Sequence, residues 1–139
     1  MHSGSSDCKL DRTAEVTGTI AEEKTECNAN LNGNEGCSYI EKAPNSYGKG
    51  FNDAGGGVFM TLFTKDEVSQ WFWSRPDVPD SVKDAPDVSK LGPPSAKWPS
   101  STCGSNFWAE EQTLVSPGRS LIFRPTDLSP RQIFDITLW

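Results

Sequence analysis

The chain holds one histidine, His2, four cysteines and nineteen acidic residues, so its catalytic repertoire can be tested type by type. A Ser-His-Asp site needs an imidazole held between nucleophile and acid. His2 stands one residue from the first, where chains normally fray, which argues against triad chemistry. Metal catalysis lacks a ligand set, because one histidine and four widely spaced cysteines assemble no three-ligand open site. Hydrolysis by paired carboxylates needs two acids about 5 to 9 Å apart on rigid backbone, which along a strand means acids at i and i+2 or i+4 in an apolar frame. No such pair occurs. The acids at 22–26, Asp66-Glu67, those at 84–87 and Glu110-Glu111 all lie in polar or proline-rich contexts that read as solvated surface. Asp135 is the one acid inside an apolar run, and it stands alone. Gly55-Gly56-Gly57 precedes an extended run and opens no helix, so it lacks the dipole that would hold a phosphate. Its use is close backbone approach or a bend. No metal or organic cofactor is expected.

The elements that would position any site are short and extended. From Val58 to Phe63 the residues Val58, Met60 and Leu62 share one face and Phe59, Thr61 and Phe63 the other, which suits a strand covered on both sides. Thr64-Lys65-Asp66-Glu67 is short enough for a hairpin. A second strand, Val68 to Ser74, sends Val68, Gln70 and Phe72 one way and Ser69, Trp71 and Trp73 the other. Two tryptophans on one face suit either ligand stacking or sheet packing. From Arg75 to Pro99 proline recurs six times, which predicts a long ordered loop pinned to a sheet face by Val82, Val88, Leu91 and Trp98. One further strand is expected at Thr13 to Ile20 and another at Ile133 to Leu138. No segment has a 3.6-residue apolar period. An all-β fold follows, part of a sandwich.

At 139 residues there is room for one domain. The formal charge of −6, with lysine and arginine scattered, disfavours a nucleic-acid surface or a polybasic membrane anchor. No stretch approaches the roughly 20 apolar residues that span a bilayer, and the opening residues do not read as a signal peptide. The twelve glycines, ten prolines, five tryptophans and seven phenylalanines nevertheless suit a turn-rich extracellular domain. Cys8, Cys27, Cys37 and Cys103 form no C-x-x-C pair, and disulfides are the better reading, with three connectivities open; four reduced, buried thiols are the alternative.

The run Tyr47-Gly48-Lys49-Gly50-Phe51-Asn52-Asp53-Ala54-Gly55-Gly56-Gly57-Val58-Phe59 resembles the "G-x-G-F-N-x-x-G-G-G-V-F-A" segment of fungal glycoside hydrolase family 16, in its endo-1,3(4)-β-glucanase or laminarinase branch. Further matches follow in order. Met1-His2-Ser3-Gly4 is similar to "L-H-T", Gly36-Cys37-Ser38 to "G-C-G/S", and Trp71-Phe72-Trp73-Ser74-Arg75 with Val78-Pro79 to "I-W-F-F-P-R-x-x-I-P". Leu91 to Pro99 resembles "W-G-x-P-x-A-x-F-P", and Ile133 to Leu138 resembles the strand before "C-G-D-W-A-G". The resemblance implies a concanavalin-like β-jelly-roll sandwich whose concave sheet forms a cleft for β-glucan polysaccharide. It also implies an extracellular parent and a monomer.

It further implies which residues would touch sugar. His2 would lie beside the family's acid pair and orient a carboxylate or bond a hydroxyl. Trp71 and Trp73 would stand in or behind the cleft, where an indole can stack on a pyranose. Arg75 would donate to hydroxyls or pin the proline-rich loop, and Asn52 would stabilise a turn or meet ligand. The family's Glu-x-Asp-x-x-Glu strand, carrying nucleophile and acid/base, precedes the histidine strand, and nothing in this sequence matches it. The family's "C-G-D-W" is also missing, which leaves some cysteine of this sequence without its family partner. Residues 116–131 read as an atypical insertion within a single partial domain. Three readings follow: a glucanase portion inactive alone, a noncatalytic β-glucan-binding module, or a non-functional truncated product of marginal stability.

Overall fold

The central run of alternating apolar residues becomes the central strand of the protein. In the computed structural model, residues 1–4, 7–21, 24–83, 87–104, 112–116, 119–123 and 132–138 are described. The elements in chain order are β1 (Thr19–Ile20), β2 (Tyr39–Ile40), α1 (Gly48–Asp53), β3 (Gly57–Phe63), β4 (Glu67–Ser74), α2 (Asp80–Lys83), β5 (Ala96–Pro99), β6 (Gln112–Ser116), β7 (Arg119–Phe123) and β8 (Gln132–Leu138). Single 3₁₀ turns occur at Arg75–Asp77, Val88–Lys90 and Ser100–Thr102. The main sheet is antiparallel throughout, in the order β5-β4-β3-β8.

Strands β3 and β4 form the expected hairpin, with Phe63 opposite Val68 and Gly57 opposite Ser74. Thr64 closes it twice over. Its N–H donates to the Glu67 carbonyl at 3.0 Å, and its hydroxyl accepts the N–H groups of Asp66 and Glu67 at 3.1 and 3.0 Å. The donors a tight turn would leave unpaired are thereby satisfied by one side chain.

Each face of β3 carries a buried cluster, as the alternation implied. Val58, Met60, Leu62 and Trp71 are buried together with Val82, and Val78, Val88 and Leu91 pack against them. The proline-rich stretch is therefore pinned to the sheet by three of the apolar residues singled out from sequence. On the other face Phe63 and Val68 join Ala96 and Trp98 in a core with Cys8, Leu10, Cys27, Cys37 and Cys103. The edge of Tyr39 meets the Trp98 ring at 5.3 Å, and its hydroxyl donates to the Lys97 carbonyl at 2.9 Å.

Three expectations need correction. The proline-rich stretch contains a strand, β5, in which buried Ala96 and Trp98 alternate with half-buried Lys97 and Pro99. Proline is tolerated because it closes an edge strand, opposite Glu67. The strand expected from Thr13 shrinks to β1, since the Asp11 carboxylate takes both the N–H and the hydroxyl of Thr13, at 2.8 and 2.6 Å, and turns the chain. The chain then runs along the outer edge of β5, where the N–H of Thr17 bonds the Pro94 carbonyl at 2.8 Å. Gly18 passes so near that a Cβ there would lie 2.3 Å from the Ser95 oxygen. The cysteines pair as the disulfide reading expected, Cys8 with Cys103 and Cys27 with Cys37. The first residues do not fray, because the N–H of Cys37 bonds the Met1 carbonyl at 2.9 Å and that of Ser3 bonds the Cys27 carbonyl at 2.8 Å.

The stretch read as an insertion begins at the last residue of β6 and includes β7, which pairs back antiparallel on β6. Residues 124–131, and the acids at 22–23, 84 and 110–111, lie outside the described residues. Strand β8 then returns to β3, with Asp135 opposite Met60. The Cys8–Cys103 bridge spans 95 residues. Replacing both cysteines by serine should cost about 2–5 kcal/mol through the freed unfolded chain, read as a lower urea midpoint with a steeper slope, because the uncrosslinked chain exposes more surface.

Candidate glycan-facing site

The segment from Tyr47 to Gly57 folds as one turn and a half of helix followed by a reversal into β3. Gly55 and Gly56 adopt φ of 75° and 91°, a region closed to most side chains. Gly57 is required for a different reason: a Cβ there would sit 2.6 Å from Cε2 of Phe72 and 2.7 Å from the Trp73 carbonyl oxygen. The triplet thus turns α1 back over the sheet and lets the Phe72 ring lie across the start of β3. Arg75 holds the turn from the far side, its N–H on the Gly56 carbonyl at 3.0 Å and its Nε on the Gly55 carbonyl at 3.2 Å.

What this builds is an aromatic platform. Phe59 and Phe72 are cross-strand partners whose ring centroids lie 4.6 Å apart at 40°, and Phe51 of α1 reaches Phe72 at 6.4 Å. All three are half-buried. The next pair on the same face is Thr61 with Gln70. Half-exposed aromatic rings next to the amide position of Gln70 suit a ligand with apolar C–H faces and many hydroxyls. Among the described residues no group of three or more histidine, cysteine, aspartate or glutamate side chains could hold a metal ion.

The five residues marked from sequence are divided by the fold. Asn52 and Arg75 both meet the glycine turn that follows α1. Asn52 is exposed on α1, and its backbone carbonyl, accepting the Gly55 N–H at 3.0 Å, closes the turn that its side chain was expected to stabilise. Trp71 and Trp73 point to the opposite face. Trp71 is only 5% exposed and its indole N–H donates to the Gly92 carbonyl at 3.1 Å, so its ring is packed beneath the proline-rich loop. Trp73 is half-buried against the same core. His2 is exposed in the N-terminal layer, with Nδ1 3.3 Å from the Asn34 amide oxygen. Its ring lies so close over Gly36 that a Cβ there would fall 3.0 Å from Cδ2.

Phe51, Phe59, Gln70 and Phe72, the residues of this platform, carry no binding expectation from sequence. The signal was present: Val82, Val88 and Leu91 had to cover one face of the sheet, and that face carries the tryptophans.

The match to known proteins agrees with this architecture. The family model described as the XgeA-like catalytic domain of glycoside hydrolase family 16 matches residues 1–116. The chain is 35% identical over 113 residues to an endo-1,3(4)-β-glucanase of Arthroderma benhamiae, covering 78% of this chain and 24% of that protein. It is 30% identical over 117 residues to a probable glycosidase of Schizosaccharomyces pombe, covering 83% of this chain and 28% of the relative. Among solved structures, laminarinase 16A from Phanerochaete chrysosporium, with 6-O-glucosyl-laminaritriose in donor and acceptor sites, superposes with a TM-score of 0.66 at 29% identity. That superposition covers 73% of this chain and 35% of that one. A family 16 β-1,3-glucosyltransferase superposes with a TM-score of 0.64 at 26% identity over 96% of this chain and 37% of that one. The chain belongs to glycoside hydrolase family 16 and is built of the antiparallel sheets of its β-jelly-roll sandwich. It spans about a quarter of the length of these curated relatives.

Two substitutions separate packing from presentation. Gly57→Ala should cost about 1–3 kcal/mol by forcing the Phe72 ring and the β4 backbone apart. Trp71→Ala should cost about 3–5 kcal/mol as a core cavity. Urea unfolding followed by fluorescence measures both.

Proposed function

We propose that this chain forms one wall of a β-1,3(4)-glucan cleft and binds glucan without cutting it. The observation that carries this reading is the Phe51, Phe59 and Phe72 platform, left half-exposed beside the buried residues of β3 and β4. Glucan is the ligand favoured by family membership and by the sugars named with the superposed laminarinase. In this reading Phe72 and Phe59 stack on pyranose C–H faces, while Asn52 and Arg75 stand at the rim beside the glycine turn. His2 serves the cleft from the N-terminal layer, and Trp73 supports the platform from behind.

Retaining glycoside hydrolysis requires a nucleophile and an acid/base carboxyl about 5 Å apart. The 139 residues contain no Glu-x-Asp-x-x-Glu run, and no carboxylate occupies the β3 or β4 positions that share a face with Phe59 and Phe72. The polypeptide thus supplies contacts to the sugar but not the paired acids of the reaction. Two disulfides with fully buried sulfur residues suit an oxidising, extracellular setting for the parent protein. A single copy is sufficient to build the platform.

Electrophoresis of the purified chain through a gel containing laminarin should show retardation. Phe72→Ala should weaken it about fivefold to tenfold, equivalent to about 1–1.4 kcal/mol. A urea melt of the same variant separates lost stacking from lost fold. Migration unaffected by laminarin would overturn the binding assignment, and release of reducing ends from laminarin by the pure chain would overturn its inactivity.

A further inference from the structure

A second surface feature lies away from the platform. An open groove of about 410 Å³ runs between the 11–15 segment and the outer edge of β5. Asp11 and Glu15 form one side, and Pro93, Pro94, Pro99 and Lys97 the other. Lys97 and Pro99 pair with Ser69 and Glu67, which alternate with the positions of Gln70 and Phe72. The groove therefore belongs to the opposite face of the sheet from the platform.

We propose that this groove is a second, noncatalytic site for a neutral hexopyranosyl unit. Its volume is within the range of small-ligand sites, about 300–1,000 Å³. Its chemistry alternates acceptors with donors between apolar walls. The Asp11 oxygen Oδ1 is committed to Thr13, which leaves Oδ2 to accept. Glu15 has no partner among the described residues. Lys97 holds Glu67 at 2.5 Å through one of its three donors, which leaves two to offer. Vicinal hydroxyls both donate and accept, and pyrrolidine rings present flat C–H surfaces, so a polyol satisfies every group at once.

Other ligands satisfy fewer of them. An anion would meet two carboxylates, and a divalent cation would find only two acid ligands with an ammonium beside them. The walls are also held in place before any ligand arrives. Thr17 bonds the Pro94 carbonyl from one side and the Ser95 N–H donates to the Gln70 carbonyl at 2.7 Å from the other. The hydroxyl and N–H of Thr13 hold the Asp11 carboxyl below the usual carboxylate range.

The test is an amide-shift titration of the isotope-labelled full chain with laminariheptaose. Amides of Glu15 and Lys97 should move on a saturation curve with Kd on the order of 1 mM, separate from the curve followed by Phe59 and Phe72. Glu15→Gln should weaken the groove curve at least fivefold and leave the platform curve in place. Movement confined to Phe59 and Phe72 overturns the groove site while sustaining the platform. Movement confined to Glu15 and Lys97 sustains the groove and removes the platform. Calcium chloride moving the groove amides where the sugar does not would make it a cation site and overturn the proposal.

Discussion

The two-sided burial of β3 is the constraint on which the rest of the molecule depends. Met60 and Thr61, adjacent in sequence and opposite in direction, are both almost wholly enclosed. A strand in that position needs a cover for each face, and this chain supplies two of different kinds. One is the loop between β4 and β5, carrying Val78, Val82, Val88 and Leu91. The other is the cysteine-stapled N-terminal layer. Burial of Val58, Met60 and Leu62 contributes about 1.5–3 kcal/mol each. Together they outweigh the roughly 1–3 kcal/mol that one buried hydroxyl without a partner costs, the condition of Thr61 among the described residues.

The second cover reaches only part of its face. It encloses Phe63, Val68 and Trp98 and stops short of Phe59 and Phe72. Among the described residues of β3 and β4, the part of this face left exposed is the part that the N-terminal layer does not reach. The glycine turn then delivers Phe51 to the open end. Packing and ligand presentation share the same two strands, with the residue parity of each strand deciding which side chain does which.

Much of this was legible in the residues. The β3–β4 hairpin, the two-faced character of β3, the anchoring residues of the proline-rich loop and the last strand all follow from alternation and turn chemistry. So does membership in the family, through the glycine segment. What sequence could not assign was the outward face. Alternation divides residues into two sets without naming the exposed one, and tryptophan invites a binding role more strongly than phenylalanine. Trp71 has instead the older use of a large ring with one donor, filling a core and bonding a carbonyl. Strand β5 was obscured because four residues give only two repeats of the alternation, and one of them is a proline. Helix α1 is too short for an apolar period to appear, and its boundaries come from glycine geometry alone.

The Cys8–Cys103 bridge has a topological effect apart from its contribution to stability. It fastens the N-terminal layer to the chain just beyond β5, so the hairpin and the proline-rich loop lie inside one covalent ring. A protease that severs one peptide bond in the exposed part of that loop opens the ring without releasing a piece. The severed molecule keeps both halves of the main sheet on a single covalent framework, with the second bridge intact in the N-terminal layer. Such a molecule can be nicked and still remain in one piece.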